Sequence, residues 1–182
     1  LRRLGAANWT LTTISFTASI SAPTGCTVST AAPGHLTTAD YTYYYCVTAL
    51  AADGITESAQ SNNAQIDNNL YSTGGKNNVS WSAVTGASAY NVYKFVGGVA
   101  GYIGRTTNTS LVDDNIAPDM SKTPPNWDTV FNGANKYPGG VSYFEQRRLF
   151  AGTNTDPQTI WGTRSGTESA MTYSDRKSTR LN

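Results

Sequence analysis

The feature that most constrains the fold is a two-residue alternation in short segments rich in aromatic and β-branched residues. The strongest strand signal is the aromatic and β-branched run Tyr41–Leu50, which reads YTYYYCVTAL. An alternation of this period places successive side chains on opposite faces of a β-strand. Before residue 125 we find no amphipathic helical pattern longer than two turns. Related strand patterns occur at residues 9–16, 27–29, 79–82, 89–94, 101–104 and 110–113. The sequence therefore predicts an all-β fold.

Turn residues predict how the strongest strand is connected. Ala52-Asp53-Gly54 follows it, and Ile55–Ser58 then returns as its antiparallel partner. Residues 61–77 are rich in Asn and Gly, which predicts a polar connection without a strand.

Composition narrows the range of functions. The 182 residues carry a formal net charge of +1, and 14% of them are charged. A nearly neutral chain gives no reason to expect nucleic acid or an anionic membrane as a partner. No apolar run approaches the roughly 18 residues of a membrane helix. One histidine and two cysteines supply little material for a metal centre or for acid–base catalysis. We therefore expect a binding or structural protein that is not an enzyme and uses no cofactor or metal.

The chemically reactive residues have ordinary structural interpretations. Cys26 and Cys46 lack CxxC spacing and are interpreted as reduced core thiols, although spacing alone does not decide whether they pair. His35 lies in a predicted loop without an acid or nucleophile beside it. Asp113-Asp114-Asn115 and Asp119 offer oxygen ligands suited to calcium. They lack the glycine and bidentate glutamate of a standard loop, so turn capping is favoured.

Two blocks of the sequence resemble a fibronectin type III module. The stretch from Val79-Ser80-Trp81 to Tyr90-Asn91-Val92-Tyr93 is similar to the second and third strands of that family, in which a Trp packs between the sheets. Residues 43–49, with the Gly54 turn and Glu57-Ser58, resemble its last two strands, but here they precede the tryptophan strand. Either a permuted module or two incomplete sandwich halves that complete each other accounts for this order.

Both arrangements predict which side chains face the core. In residues 89–94, Tyr90, Val92 and Lys94 share one face of the strand, and the residues between them lie on the other. Trp81 and Tyr90 are expected on the inward faces of neighbouring strands, buried between the sheets.

The composition changes after Asp119. Thr123-Pro124-Pro125-Asn126 predicts an extended linker. Two short strands at 141–144 and 148–151, joined by a tight polar turn, precede a third that begins within Pro157–Gly162. Serial short antiparallel strands with glycine at their ends are typical of a propeller blade.

The predicted organisation therefore has five parts. They are the end of a preceding β segment (1–21), a fibronectin type III- or immunoglobulin-like sandwich (22–120), a linker (121–136), the start of a propeller-like β domain (137–174) and a tail (175–182). The tail, Asp175–Asn182, reads as the translation of a sequencing-adapter oligonucleotide. The chain begins with Leu1 and has no apolar signal segment there, so we expect a fragment whose natural sequence continues beyond Ser174.

A second resemblance has its most specific part at residues 137–166. Segments on both sides of the linker are similar to tail proteins of short-tailed bacteriophages; they are Tyr90–Lys94, Gly101–Gly104, Asp113–Asp119, Pro124-Pro125, Tyr137-Pro138-Gly139, Phe144–Thr153, Pro157–Trp161 and Ser165-Gly166. The likeness is to the nozzle or tail-tube type, in which propeller-like domains line the DNA exit path. It extends over roughly residues 40–174, and it supplies no catalytic residues.

This resemblance implies a virion structural protein of the tail, made in the bacterial host cytoplasm. The implied partners are other tail or neck subunits, with a homo-oligomeric ring in the full-length protein. Genomic DNA would only pass through the channel, and no membrane is involved. The alternative is a bacterial secreted or surface protein whose fibronectin-like module binds carbohydrate or protein through exposed aromatic residues.

Arg147 and Arg148 are the candidate contact residues. Paired arginines suit the carboxylates of a neighbouring subunit or a DNA phosphate. The competing interpretation leaves one arginine on the surface of a hairpin and packs the stem of the other.

Overall fold

Every element of regular secondary structure in the part of the chain that the computed structural model describes is a β-strand. That part comprises residues 2–3, 9–10, 16–32, 41–125, 127, 131–163, 165–166 and 170–171. It contains antiparallel strands and no helix, which confirms the all-β prediction. It therefore also contains no helix long and apolar enough to cross a membrane. The strands are β1 (Arg2–Arg3), β2 (Trp9–Thr10), β3 (Thr27–Ala32), β4 (Tyr41–Leu50), β5 (Ala64–Asn68), β6 (Lys76–Ser80), β7 (Ala89–Val96), β8 (Val99–Thr106), β9 (Ser110–Asp113), β10 (Gly140–Phe144), β11 (Arg147–Ala151) and β12 (Ile160–Gly162).

The chain forms two compact units. One comprises residues 18–126, which we call the sandwich unit. The other, which we call the hairpin unit, comprises residues 127–182 together with residues 1–17. The N-terminal segment therefore belongs with the C-terminal part of the chain.

The sandwich unit contains two antiparallel sheets. One has the strand order β3-β6-β9, and the other has the order β5-β4-β7-β8. In the four-stranded sheet Val47 is opposite Val92, and in the three-stranded sheet Val79 is opposite Leu111. Apolar side chains from both sheets form one buried cluster, as a β-sandwich requires. Its buried members are Ile20, Cys26, Tyr43, Tyr45, Val47, Ala49, Ala64, Leu70, Val79, Trp81, Tyr90, Val92 and Ile103.

Trp81 and Tyr90 lie in this core, as predicted. Their exposed fractions are 6% and 5%, and their rings meet edge to face with centroids 5.4 Å apart. The prediction that they sit on neighbouring strands is wrong. Trp81 directly follows β6 and Tyr90 lies in β7, and these strands belong to different sheets. The two rings therefore meet across the core.

A group of polar side chains is buried between the same two sheets. We call Tyr45, Asn77, Lys94 and Asp113 the inter-sheet polar cluster; each is less than 5% exposed. Tyr45 is opposite Lys94 in the four-stranded sheet, and Asn77 is opposite Asp113 in the three-stranded sheet. Each sheet thus contributes one cross-strand pair, and alternation correctly placed Lys94 on the inward face.

The strand partners of β4 differ from the predicted ones. Ile55–Ser58 forms only an isolated bridge between Glu57 and Leu50, and the polar connection 61–77 contains β5, which pairs with β4 instead. Serine side chains explain the difference. The N–H groups of Ala49 and Val47 donate to the Oγ atoms of Ser58 and Ser61, at 2.8 and 3.0 Å. Because hydroxyls take these backbone donors, a regular ladder does not form there.

The hairpin unit contains the three-stranded sheet β10-β11-β12. β10 and β11 each begin one residue before the predicted segments and end where predicted. β12 begins at Ile160, within the segment predicted to start the third strand. The turn residues Glu145 and Gln146 both have positive φ, 46° and 61°, which fits a two-residue turn whose twist matches the flanking strands. Of the strand predicted over 9–16, Trp9–Thr10 is strand β2, and residues 11–15 lie outside the described residues.

Aromatic rings form the core of the hairpin unit. Phe131 meets Phe16, Phe150 and Trp161 with centroid separations of 5.1, 5.2 and 5.4 Å. Phe16 also meets Phe150 at 5.3 Å. Such edge-on and tilted contacts suit the charge distribution of aromatic rings.

Replacing Trp81 with alanine should destabilise the sandwich unit by about 3–5 kcal/mol, because it empties a large aromatic site between the sheets. The measurement is the free energy of urea unfolding. The matched control is Ile55→Ala, at a position that is 59% exposed, which should change stability by less than about 0.5 kcal/mol. A Trp81 variant as stable as this control would contradict the core assignment.

Candidate functional site

In the described part of the hairpin unit, β10 presents an exposed apolar surface. All five of its residues are exposed, with Val141, Tyr143 and Phe144 each more than 60% accessible. β10 pairs with β11 on one side and is an edge strand of the described sheet. An edge strand with large apolar side chains offers both unpaired backbone groups and contact area to a partner.

Glycines hold the start of this hairpin together. The N–H of Gly139 donates to the carbonyl of Gly152 at 3.1 Å. Gly152 has a φ of 70°, a conformation that favours glycine. A Cβ added to Gly139 would approach the same carbonyl to 3.2 Å. Pro138-Gly139-Gly140 and Ala151-Gly152-Thr153 are therefore adjacent at the open end of the hairpin. They approach closely because Gly139 and Gly152 have no side chains.

Beside β10 lies an open groove of about 400 Å³. Backbone of the glycine segment forms one part of its wall, and side chains from both strands of the hairpin form the rest. Its lining residues are Pro138, Gly139, Gly140, Val141, Tyr143, Arg148 and Phe150. The groove and β10 together make the candidate contact surface.

The two candidate arginines have different roles. Arg147 is only 8% exposed, and its Nη1 donates to the carbonyl of Thr163 at 2.9 Å. Arg148 is half-buried; its Nε donates to the hydroxyl of Tyr143 at 2.9 Å, and its guanidinium lies 5.2 Å from the centroid of that ring. Arg147 therefore ties β11 to the end of β12, whereas Arg148 fixes Tyr143 on the contact surface.

The acidic run after β9 caps turns. Asp113 Oδ1 accepts the N–H of Ile116 at 2.7 Å, and Asp119 Oδ1 accepts the N–H of Ser121 at 3.0 Å. Hydrogen bonds from Ser121 hold the pKa of Asp119 below its ordinary value. This confirms the capping interpretation for both aspartates. Within the described ranges no three His, Cys, Asp or Glu side chains come together as a metal site, and His35 lies outside those ranges.

Both cysteines are free and buried, as interpreted from the sequence. Cys26 belongs to the sandwich core, and Cys46 packs with Tyr93 on the outer face of the four-stranded sheet. Burial is the main reason that the pKa of Cys46 rises from 9.0 to about 12, and burial also raises the pKa of Cys26. A thiol with such a pKa is a poor nucleophile at neutral pH.

A carboxylate that sequence reasoning missed lies on the same outer face. Glu57 Oε1 accepts hydrogen bonds from Thr48, Asn91 and Tyr93. The pKa of Tyr93 is raised, mainly by its burial and secondly by the negative charge of Glu57. Alternation in the sequence does place two of its donors, Asn91 and Tyr93, on one face of their strand. Nothing in the sequence indicates that Glu57 lies over that face.

Comparison of the sequence with models of protein families, with curated proteins and with solved structures finds no match.

The adjacent arginines allow a matched test of the hairpin. Arg147→Ala should destabilise it by about 1.5–3 kcal/mol, because the carbonyl of Thr163 loses its charged donor. Arg148→Ala should cost about 0.5–1 kcal/mol, as expected for a cation–aromatic contact near the surface. The measurement is amide hydrogen exchange across β11. Equal effects, or a larger effect for Arg148, would contradict the assigned roles.

Ionisation of Cys46 should make the protein sensitive to alkali. Its thiol ionises at about 12 when folded and at 9.0 when unfolded, so the unfolded chain releases its proton first. The free energy of unfolding should therefore fall as pH rises from 9 toward 12. Cys46→Ala should remove part of the fall that begins near pH 9, measured by urea unfolding at successive pH values. An unchanged slope in this variant would refute the assignment.

Proposed function

We propose that the chain is a structural component of a bacteriophage tail or neck that assembles by protein–protein contacts into a ring around the DNA exit channel. The observation that carries the proposal is the exposure of β10, with Val141, Tyr143 and Phe144 presented on an edge strand. The resemblance of residues 137–166 to tail proteins supports the same conclusion.

Ring formation requires a heterologous contact, in which one surface of a subunit meets a different surface of the next copy. We assign β10 and its groove to one side of that contact. Apolar side chains there supply the area, and the edge backbone supplies directional hydrogen bonds. Arg148, held against Tyr143, presents a charged group at the margin of this surface.

The hairpin unit is consistent with the propeller-like domain that the proposal requires. A propeller blade is a four-stranded antiparallel sheet, and β10-β11-β12 supplies three such strands in sequential order. We propose that this sheet is part of one blade of the domain that lines the channel.

The strand order of the sandwich unit favours the interpretation that it is a permuted fibronectin type III module. Seven strands divided between a three-stranded and a four-stranded sheet match the strand number of such domains. In this assignment β6 and β7 correspond to the family's second and third strands, and β4 and β5 correspond to its sixth and seventh. The family's second sheet places its seventh, sixth and third strands side by side, and the observed order β5-β4-β7 is the same. The single core between the sheets favours a permuted module over two incomplete halves.

One observation favours the alternative function. Tyr41 and Tyr71 are 50% and 72% exposed, and their rings meet edge to face with centroids 5.4 Å apart. An exposed aromatic pair is suited to stacking on sugar rings or to contacts with a protein surface. The second candidate is therefore a surface module that binds carbohydrate or protein through these tyrosines.

The test is to express the complete gene together with its portal and adaptor partners and to image the product by electron microscopy. We expect rings that contain this protein. Phe144→Asp should abolish its incorporation, because a carboxylate would have to be buried without a partner in the contact. Ile55→Asp, at a similarly exposed position of the sandwich unit, is the control and should leave incorporation unchanged.

Two results would overturn the structural proposal. One is a ring that forms without this protein, and the other is incorporation that is unaffected by Phe144→Asp. Glycan binding by the free protein that is lost in Tyr71→Ala would instead establish the alternative.

A further inference from the structure

The inter-sheet polar cluster brings an amine and a carboxyl group into contact inside the sandwich. Lys94 Nζ lies 2.9 Å from Asp113 Oδ2, and the two side chains are 5% and 0% exposed. Lys94 belongs to β7 of the four-stranded sheet, and Asp113 ends β9 of the three-stranded sheet. The pair therefore joins residues of opposite sheets.

Neighbouring groups fix the carboxyl in one orientation. The hydroxyl of Tyr45 donates to Asp113 Oδ2 at 2.7 Å, and the N–H of Ile116 donates to Oδ1 at 2.7 Å. Asn77 Nδ2 in turn donates to the Tyr45 hydroxyl at 3.0 Å, and its own Oδ1 accepts from Asn68 at 2.8 Å. Each oxygen of the carboxyl thus has a different donor, which makes the two oxygens chemically distinct.

We propose that Lys94 and Asp113 join in an amide bond that cross-links the two sheets. The ammonium first gives a proton to Oδ2, which leaves a neutral amine beside a neutral carboxylic acid. The nitrogen lone pair then forms a bond to Cγ. The bond from Cγ to Oδ2 breaks, Oδ2 takes a second proton from the nitrogen, and one water molecule leaves. Oδ1 remains as the amide oxygen, so no oxidant, reductant or further reactant is needed.

The surroundings favour each step. Burial penalises the charged pair relative to the neutral one because both ions lose their hydration. Fixed contact between amine and carboxyl replaces a bimolecular encounter, and well-oriented intramolecular reactions of this kind reach effective molarities of about 10⁵–10⁸ M.

The two hydrogen-bond donors have separate tasks in this step. The N–H of Ile116 faces the oxygen on which negative charge develops, and such a donor stabilises the transition state. The Tyr45 hydroxyl faces the leaving oxygen and can relay the second proton to it from the nitrogen. Burial is the main reason that the pKa of Tyr45 is raised, which keeps this hydroxyl protonated and able to donate.

The first measurement is the intact mass of the purified full chain. We expect it to be lower than the sequence mass by one water. In a tryptic digest, the bond after Lys94 should be uncut, and the peptides that contain Lys94 and Asp113 should appear joined as one branched species. This inference concerns the sandwich unit and does not depend on the proposed function.

Two variants sharpen the result. Lys94→Arg keeps the positive charge but offers no amine, so it should have the full sequence mass. Tyr45→Phe keeps the ring and removes the proton relay, so cross-linking should slow at least severalfold when followed by mass after refolding. A full sequence mass for the unaltered protein would overturn the proposal. So would a loss of ammonia, which would indicate an asparagine rather than Asp113 as the partner, or a loss of water that persists in Lys94→Arg.

Discussion

The buried pair of Lys94 and Asp113 is the contact on which the sandwich unit most depends. Removing two charges from water costs several kcal/mol per ion, and only close pairing with further hydrogen bonds offsets that cost. Tyr45 and Ile116 supply those hydrogen bonds. Because the partners belong to opposite sheets, a shift of one sheet over the other before the proposed amide bond forms would leave a buried charge without its partner. The pair therefore favours one alignment of the sheets.

The two faces of the four-stranded sheet use polar groups in different ways. On the inner face, the polar cluster adjoins the buried, largely apolar core cluster, of which Tyr45 is also a member. On the outer face, Glu57 gathers three donors while Cys46 and Tyr93 remain buried beside them. Residues 57–61 cover part of that face with serine hydroxyls rather than with a regular strand. β4 is consequently buried on both sides over most of its length, which accounts for its continuous hydrophobic and aromatic sequence.

Much of the strand content could be predicted from the sequence, because alternation reports local geometry. β4 and β9 have the predicted bounds, and alternation placed Tyr90, Val92 and Lys94 on one face. β5 was missed because its alternation, Ala64 and Ile66 against Gln65 and Asp67, is short and lies in an Asn-rich segment, and its position follows from pairing with β4. The partner of Lys94 could not be predicted, since Asp113 is distant in sequence and lies in the other sheet. The sequence also did not distinguish the buried role of Arg147 from the role of Arg148, because the acceptor of Arg147 is the carbonyl of Thr163, whose position depends on how β12 pairs with β11.

The order in which the chain visits the two sheets has a consequence for folding. It passes from β3 to the hairpin β4–β5, returns to β6, leaves again for the hairpin β7–β8, and comes back to β9. Between any two consecutive strands of the three-stranded sheet, the chain thus forms two strands of the other sheet. In contrast, β7 pairs with β8 and β4 pairs with β5, which are the next strands along the chain. Because closing long loops costs entropy before any contact rewards it, we expect the hairpin β7–β8 and the pairing β4–β5 to form before the long-range pairings β4–β7, β6–β9 and β3–β6. Each sheet is therefore completed by long-range pairings, and a nascent chain is expected to hold preformed hairpins before either sheet is complete.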